Sequence, residues 1–137
     1  MTKVTAQLTN FRMSPQKVRL VTRTVRGKSV TDALGVLRFD VRAAAAPLRK
    51  LIQSAVANAH HNDHISADAL TVADITVTGG PVLKRWMPRA QGRATHILKR
   101  TSTIRVTLVA DDAETQQHDT EKKTAAKKST TTKRPAA

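Results

Sequence analysis

Residues 77–104 read VTGGPVLKRWMPRAQGRATHILKRTSTI and connect two predicted strands. The Gly-Gly-Pro sequence at 79–81 is expected to end regular strand pairing after Val77. The alternation of apolar and polar residues over 104–108 predicts a closing strand. A connection of this length without a core pattern is unusual in a compact domain, and the two strands are good partners for each other. We therefore expect an extended β-hairpin arm over about residues 79–100, reaching ~30 Å from the body at about 3.3 Å per residue.

The predicted arm is rich in cations and contains no acidic residue. Arginine binds phosphate through paired hydrogen bonds and also stacks on bases, so this composition favours a functional arm over a floppy basic loop. The only tryptophan, Trp86, has cationic neighbours, and we expect it to stack on a base or pack at a partner surface instead of joining the core. The cations of the arm are Lys84, Arg85, Arg89, Arg93, Lys99 and Arg100.

The chain as a whole is strongly basic, with 24 Lys and Arg against 10 Asp and Glu in 137 residues and a formal net charge of +14. A compact body with this charge repels itself, so the composition predicts a polyanionic partner. A membrane partner is not expected, because the sequence has neither an apolar run of ~20 residues nor a signal core at its N-terminus. The absence of cysteine excludes disulfides and thiol chemistry and fits a reduced cytoplasm.

The first part of the chain predicts one strand and two helices. Alternating apolar residues over 4–8 indicate a short strand. Ser14 and Pro15 read as the N-cap and first residue of a helix that stops at Gly27. Ser29, with Asp32 three residues later, resembles a capping box that opens a short amphipathic second helix.

Basic residues form a stripe on the first helix. Arg19, Arg23 and Arg26 lie on one face, opposite the apolar face, and no acidic residue lies in this segment. We expect the stripe to be unpaired and to form a phosphate surface, although a solvated face is the simpler alternative. Arg12 and Lys17, at the start of the same segment, join this predicted nucleic-acid surface.

The centre of the chain predicts the longest helix. Apolar residues over 48–59 follow the i, i+3, i+4 spacing for three turns. This helix is expected to begin in the alanine run after Asp40, with Pro47 either kinking it or marking its first turn, and to end near Asn62. A strand over 70–77 follows, with an irregularity at Ala73 and Asp74.

These elements predict an α+β fold, a small antiparallel sheet packed with three helices, from which the long basic hairpin arm projects. Residues 1–110 are expected to form one globular domain. Residues 111–137 are rich in Lys, Ala and Thr and contain no large apolar side chain, so we expect a disordered C-terminal tail.

Several segments of the sequence closely resemble the large-subunit ribosomal protein twenty-two family of bacteria. The resemblance runs in order over roughly residues 4–109. It implies a structural constituent of the large ribosomal subunit in the cytoplasm, which binds 23S ribosomal RNA and supports early subunit assembly. The segments are SPQKVR at 14–19, SAVANA at 54–59, KRWMPRAQGRA at 84–94 and ILKRTS at 97–102.

The resemblance also implies the surroundings of the arm. The hairpin of this family lines the nascent-peptide exit tunnel near protein four of the same subunit, so the nascent polypeptide is an implied neighbour. Lys84, Arg85, Arg89 and Arg93 would then belong to the hairpin tip and its RNA contacts. Two positions depart from the family pattern, which favours His, Asp or Asn where Thr103 stands and a basic residue where Gln91 stands.

Two other classes of function compete with this interpretation. A DNA-packaging nucleoid protein with basic β-arms that enter the minor groove has a similar composition, but the ordered matches argue against it. An enzyme has no supporting constellation of residues. His60, His61 and His64 lack the further ligands of a structural zinc site, and a solvated helix end explains them better. We therefore expect no enzymatic activity, no cofactor or metal, no membrane contact and no homo-oligomer.

Overall fold

A computed structural model, which describes residues 2–110, contains one three-stranded antiparallel sheet and three helices. The closing strand lies in the middle of the sheet, between the other two strands. The predicted α+β fold with its hairpin arm is confirmed, whereas the predicted tail, residues 111–137, lies outside the described residues. The elements are β1 (Thr2–Phe11), α1 (Pro15–Val25), α2 (Val30–Phe39), α3 (Ala45–Asp63), β2 (Leu70–Pro88) and β3 (Ala94–Ala110).

The three helices cover one face of the sheet and enclose a single apolar core. The i, i+3, i+4 face of α3 points inward, with Leu48 and Ile52 fully buried. They belong to the same cluster as Ile104 and Leu108 of the central strand, which are also fully buried. Each such side chain contributes about 1.5–3 kcal/mol through burial, so this cluster holds α3 and the sheet together.

The signals at the helix starts are confirmed with one exception. Pro15 is the first residue of α1, as predicted, but the hydroxyl of Ser14 makes no capping hydrogen bond. The Ser14 carbonyl instead accepts the Lys17 N–H at 3.1 Å. At the second helix the Ser29 hydroxyl accepts the Asp32 N–H at 3.1 Å, which is the predicted cap.

The ends of the helices follow backbone rules. Gly27 adopts a φ of +76° just beyond α1, a conformation that glycine adopts without steric cost. Because α3 begins at Ala45, Pro47 lies in its first turn and does not kink it. Among the described residues, no helix combines the length and apolar character that crossing a membrane requires.

Pairing between β2 and β3 is interrupted twice. The shift between Val72 and Asp74 is the predicted irregularity. The second shift lies between Gly79 and Val82, and beyond it pairing resumes and continues to Pro88. The predicted break in regular pairing at 79–81 is therefore present as a bulge, in which β2 accommodates one extra residue, and the ladder then continues into the predicted hairpin.

Candidate nucleic-acid interface

Residues 82–100 form a two-stranded ribbon that extends the β2–β3 ladder away from the core. Seven consecutive pairs run from Val82↔Arg100 to Pro88↔Ala94. At the tip, the Arg89 N–H donates to the Arg93 carbonyl at 2.8 Å. Gln91 and Gly92 turn the chain with φ values of 58° and 65°. The predicted arm is thus a regular hairpin.

Both faces of the ribbon are cationic. Directly opposed residues in antiparallel strands share a face, so each register pair assigns two side chains to one side. Each face receives two of the four leg cations and no acidic residue, and two more cations flank the tip. The pairs on one face are Val82↔Arg100, Lys84↔Leu98 and Trp86↔His96. The pairs on the other are Leu83↔Lys99, Arg85↔Ile97 and Met87↔Thr95.

Trp86 lies on the ribbon and outside the core, as predicted, with 63% of its surface exposed. Its ring lies beside that of His96, with ring centroids 3.5 Å apart and planes inclined by 40°. Because His96 packs against one face of the indole, the opposite face of the indole is left for a flat partner such as a base. The sequence analysis did not identify His96. A hairpin turn assigned to Gln91 and Gly92 would have placed His96 opposite Trp86 in the register.

A second cationic surface lies where α1 borders strand β2. Arg19, Arg23 and Arg26 line a groove together with residues 74–77 of β2. The Arg19 guanidinium donates to the Val77 carbonyl from Nη2 at 2.9 Å and from Nε at 3.3 Å. α1 is thereby fixed against the free edge of the sheet, with its arginines directed into the groove.

The expectation of an unpaired arginine stripe is wrong for Arg26. Its Nη2 lies 2.7 Å from Asp74 Oδ1. The sequence could not show this pair, because the fold brings Asp74 from a strand far along the chain to the end of α1. Arg26 and Asp74 keep 61% and 42% of their side-chain surfaces exposed, so the pair contributes at most about 1 kcal/mol to stability. Among residues 2–110, Arg23 has no acidic partner.

Two predicted residues are not part of the groove. Arg12, in the β1–α1 connection, and Lys17, on the first turn of α1, are exposed and lie outside the groove lining. The groove ends at Val77 and the ribbon begins at Val82, about 17 Å further along β2 at 3.3 Å per residue. The fold therefore places a cationic groove and a cationic ribbon in succession along one strand.

A buried polar contact fixes the base of the ribbon. Thr101 is only 3% exposed, and its hydroxyl donates to the Pro81 carbonyl at 2.6 Å. Gly80 lies against this hydroxyl, and a Cβ at that position would be 2.6 Å from Thr101 Oγ1. The Thr101 hydroxyl thus joins the two strands at the Gly-Gly-Pro bulge, a role that was not predicted for Thr101.

The cluster of histidines near the end of α3 does not assemble a metal centre. His60, His61 and His64 are exposed, and His64 has a left-handed backbone with a φ of 54°. Within residues 2–110, no group of three or more His, Asp or Glu side chains is arranged to hold a metal ion.

The structure thus defines an α+β protein whose body carries a cationic groove and from which an acid-free ribbon with cations on both faces projects. Comparison with known proteins shows the family to which this chain belongs. The profile of the family described as Ribosomal protein L22p/L17e matches residues 6–109. The chain belongs to this family of ribosomal proteins, which confirms the resemblance seen in its sequence.

Its relatives include three proteins named large ribosomal subunit protein uL22. The protein of Herpetosiphon aurantiacus is 56% identical over 109 residues, which cover 80% of this chain and 95% of the relative. That of Desulfitobacterium hafniense is 54% identical over 98 residues, or 72% and 86% of the two chains. That of Geobacter sulfurreducens is 52% identical over 106 residues, or 77% and 96%. The similarity therefore covers nearly the whole length of these relatives.

Proposed function

We propose that this ribosomal protein is a structural constituent of the large ribosomal subunit in the cytoplasm, that it binds 23S ribosomal RNA, and that it supports subunit assembly without enzymatic activity. The observation that carries the proposal is the ribbon of residues 82–100, whose cations are divided between both faces and meet no acid there. The names of the relatives support the assignment to the large subunit.

Cations on both faces favour a ribbon that contacts RNA on more than one side over one that docks by a single face. A ribbon that docks by one face leaves the cations of its other face without phosphate partners. Lys84 and Arg100 on one face and Arg85 and Lys99 on the other suit RNA segments on two sides. The groove of Arg19, Arg23 and Arg26 adds a third contact on the body.

Binding of the purified chain to 23S ribosomal RNA should depend steeply on salt. Six to ten phosphate contacts predict a slope of roughly −4 to −9 in a plot of log affinity against log salt concentration, at about 0.7–0.9 per phosphate. Fluorescence titration from 50 to 300 mM potassium chloride, roughly the range over which such contacts are lost, measures the slope. A slope near zero would refute the electrostatic account.

We further propose that the ribbon lines the wall of the nascent-peptide exit tunnel, near protein four of the same subunit. This position is implied by the family resemblance, and the mixed surface of the ribbon is compatible with it. Besides its cations, the ribbon exposes 63% of Trp86, 45% of Met87 and 47% of Leu98. The cations of this surface can bind RNA phosphates, and its apolar side chains can contact a passing polypeptide.

The register of the ribbon allows a clean test of the tunnel position. Removing residues 84–87 and 95–98 together deletes four complete register pairs and preserves the tip, the bulge and the facing of every remaining side chain. It withdraws the tip by about 13 Å at 3.3 Å per residue. In stalled ribosomes, a photoreactive nascent chain should crosslink to the intact ribbon and lose this crosslink with the shortened one.

The control for this deletion is a comparison of how much shortened and full-length chain enters large subunits. Shortened and full-length chains should both enter large subunits, because the groove on α1 remains. Crosslinks from the nascent chain to other tunnel components should persist. If the full-length ribbon gives no crosslink from any nascent-chain position while the subunits are complete, the tunnel assignment is wrong and RNA binding stands alone.

A further inference from the structure

The body exposes a compact apolar patch beside the junction between α2 and α3. Phe39 is 83% exposed, Val41 99% and Leu20 53%. Phe39 and Val41 line a groove whose floor also includes Val36. Leu20 precedes the groove residue Thr24 by one turn of α1, and its carbonyl accepts a hydrogen bond from Arg42 of the same groove at 3.3 Å, so Leu20 lies beside the groove. Isolated apolar side chains are common at protein surfaces, but a contiguous group marks an interaction surface.

The backbone of this junction is held by several hydrogen bonds, so the positions from which the apolar side chains project are fixed. The Asp40 N–H donates to the Val36 carbonyl at 3.1 Å. The Arg42 N–H donates to Asp40 Oδ1 at 2.9 Å, and the Arg42 carbonyl accepts the Ala45 N–H at 2.9 Å. A fixed apolar surface costs little conformational entropy when a partner covers it.

The rim of the patch carries positive charge. Arg42 lines the groove, and Arg38 lies in the last turn of α2. The one acid of the lining, Asp40, already accepts the Arg42 N–H. An apolar floor with a cationic rim is complementary to apolar side chains that are flanked by carboxylates.

Three other occupants fit this surface less well. A second copy of the chain carries the same net charge of +14, so two copies repel each other. The segment 111–137 of this chain contains no large apolar side chain to fill the groove. RNA could stack a base on Phe39, but the aliphatic side chains of Val36 and Val41 offer no stacking face.

We propose that the patch formed by Leu20, Val36, Phe39 and Val41 docks an acidic apolar segment of a neighbouring ribosomal protein. The segment carries at least two large apolar side chains for the groove and Asp or Glu residues that face Arg38 and Arg42. This contact is distinct from the groove and the ribbon proposed to bind RNA, and it does not depend on their function.

Site-specific crosslinking within purified large subunits tests the proposal. Phe39 is replaced by photoreactive benzoylphenylalanine, and Thr5, which is exposed on the open face of the sheet, is replaced in a matched control. Irradiation should attach Phe39 to one protein segment of the predicted composition, as identified by mass spectrometry. A crosslink to ribosomal RNA, to a second copy of this chain or to nothing beyond the Thr5 control would overturn the proposal.

A peptide of the captured segment then measures the contribution of the patch. The full chain should bind it at least tenfold more tightly than the double variant Phe39→Ser with Val41→Ser, because truncation of central apolar contacts dominates such interfaces. Both side chains are exposed, so the variant should keep its unfolding temperature. Equal affinities for the two proteins would also overturn the proposal.

Discussion

Asp74→Asn should strengthen RNA binding, although it breaks the Arg26–Asp74 ion pair. Asp74 lies in the groove of three arginines and holds Arg26 at 2.7 Å. Its neutralisation raises the positive charge of the groove by one and frees a guanidinium for phosphate. One additional phosphate contact steepens the salt slope by about 0.7–0.9, which corresponds to about fivefold tighter binding at 0.15 M salt. The loss of a solvent-exposed pair should lower the free energy of unfolding by about 0.2–1 kcal/mol, so the variant stays folded.

Two controls separate this local effect from net charge. Asp68→Asn changes the chain by the same charge at an exposed position outside the groove and should alter affinity much less. In an Arg26→Gln background, Asp74→Asn should give a smaller gain than in the natural sequence, because the freed guanidinium is absent. The assay is fluorescence titration of 23S ribosomal RNA at several salt concentrations. Weaker binding by Asp74→Asn, or a gain equal to that of Asp68→Asn, would refute the assignment of the groove to RNA.

Three further predictions concern other parts of the chain. Gly80→Ala should lower the free energy of unfolding by about 1–3 kcal/mol, measured in urea, because its Cβ would meet the buried Thr101 hydroxyl at 2.6 Å. Gly79→Ala, with open space around its Cβ, should have little effect. Equal losses for the two variants would contradict the close packing of Gly80 at the bulge. Trp86 is the only tryptophan in the sequence, so RNA that stacks a base on it should quench the protein's tryptophan fluorescence. Trp86→Ala should weaken RNA binding by about 1–3 kcal/mol. Unchanged fluorescence and unchanged affinity would exclude stacking. Truncation after Ala110 should leave folding and entry into large subunits nearly intact. The removed segment has six basic and five acidic residues and no large apolar one. If the truncated chain fails to enter subunits, residues 111–137 have a role in assembly.

The order and type of the elements were predictable because each has a local signal. The alternation around Ile104 predicted the closing strand, and the i, i+3, i+4 spacing predicted α3. Pro47 left two possibilities open, since a proline is tolerated in a first turn and disrupts a helix interior. The start of α3 at Ala45 decides between them, and the position of that start depends on packing that the sequence pattern does not contain.

Contacts between distant elements were not predictable from local patterns. The predicted arginine stripe is present on α1, but its pairing with Asp74 and with the Val77 carbonyl depends on where the edge of β2 lies. The hairpin beyond Gly79 was predicted, but its connection to the body was not: the bulge at Gly-Gly-Pro and the Thr101 hydroxyl that bonds the Pro81 carbonyl depend on how the two strands pair. Burial of a side chain such as Thr101 is set by tertiary structure.

If the proposed function is right, residues 82–100 and the groove on α1 contact 23S ribosomal RNA inside the large subunit. Ultraviolet crosslinking of purified large subunits, followed by mass spectrometry of the RNA-linked peptides, locates these contacts. We expect RNA adducts on peptides from the ribbon, at Trp86 and the cations around it, and from α1 near Arg23. Adducts confined to other surfaces of the body, in subunits that contain the full-length chain, would show that neither surface binds RNA.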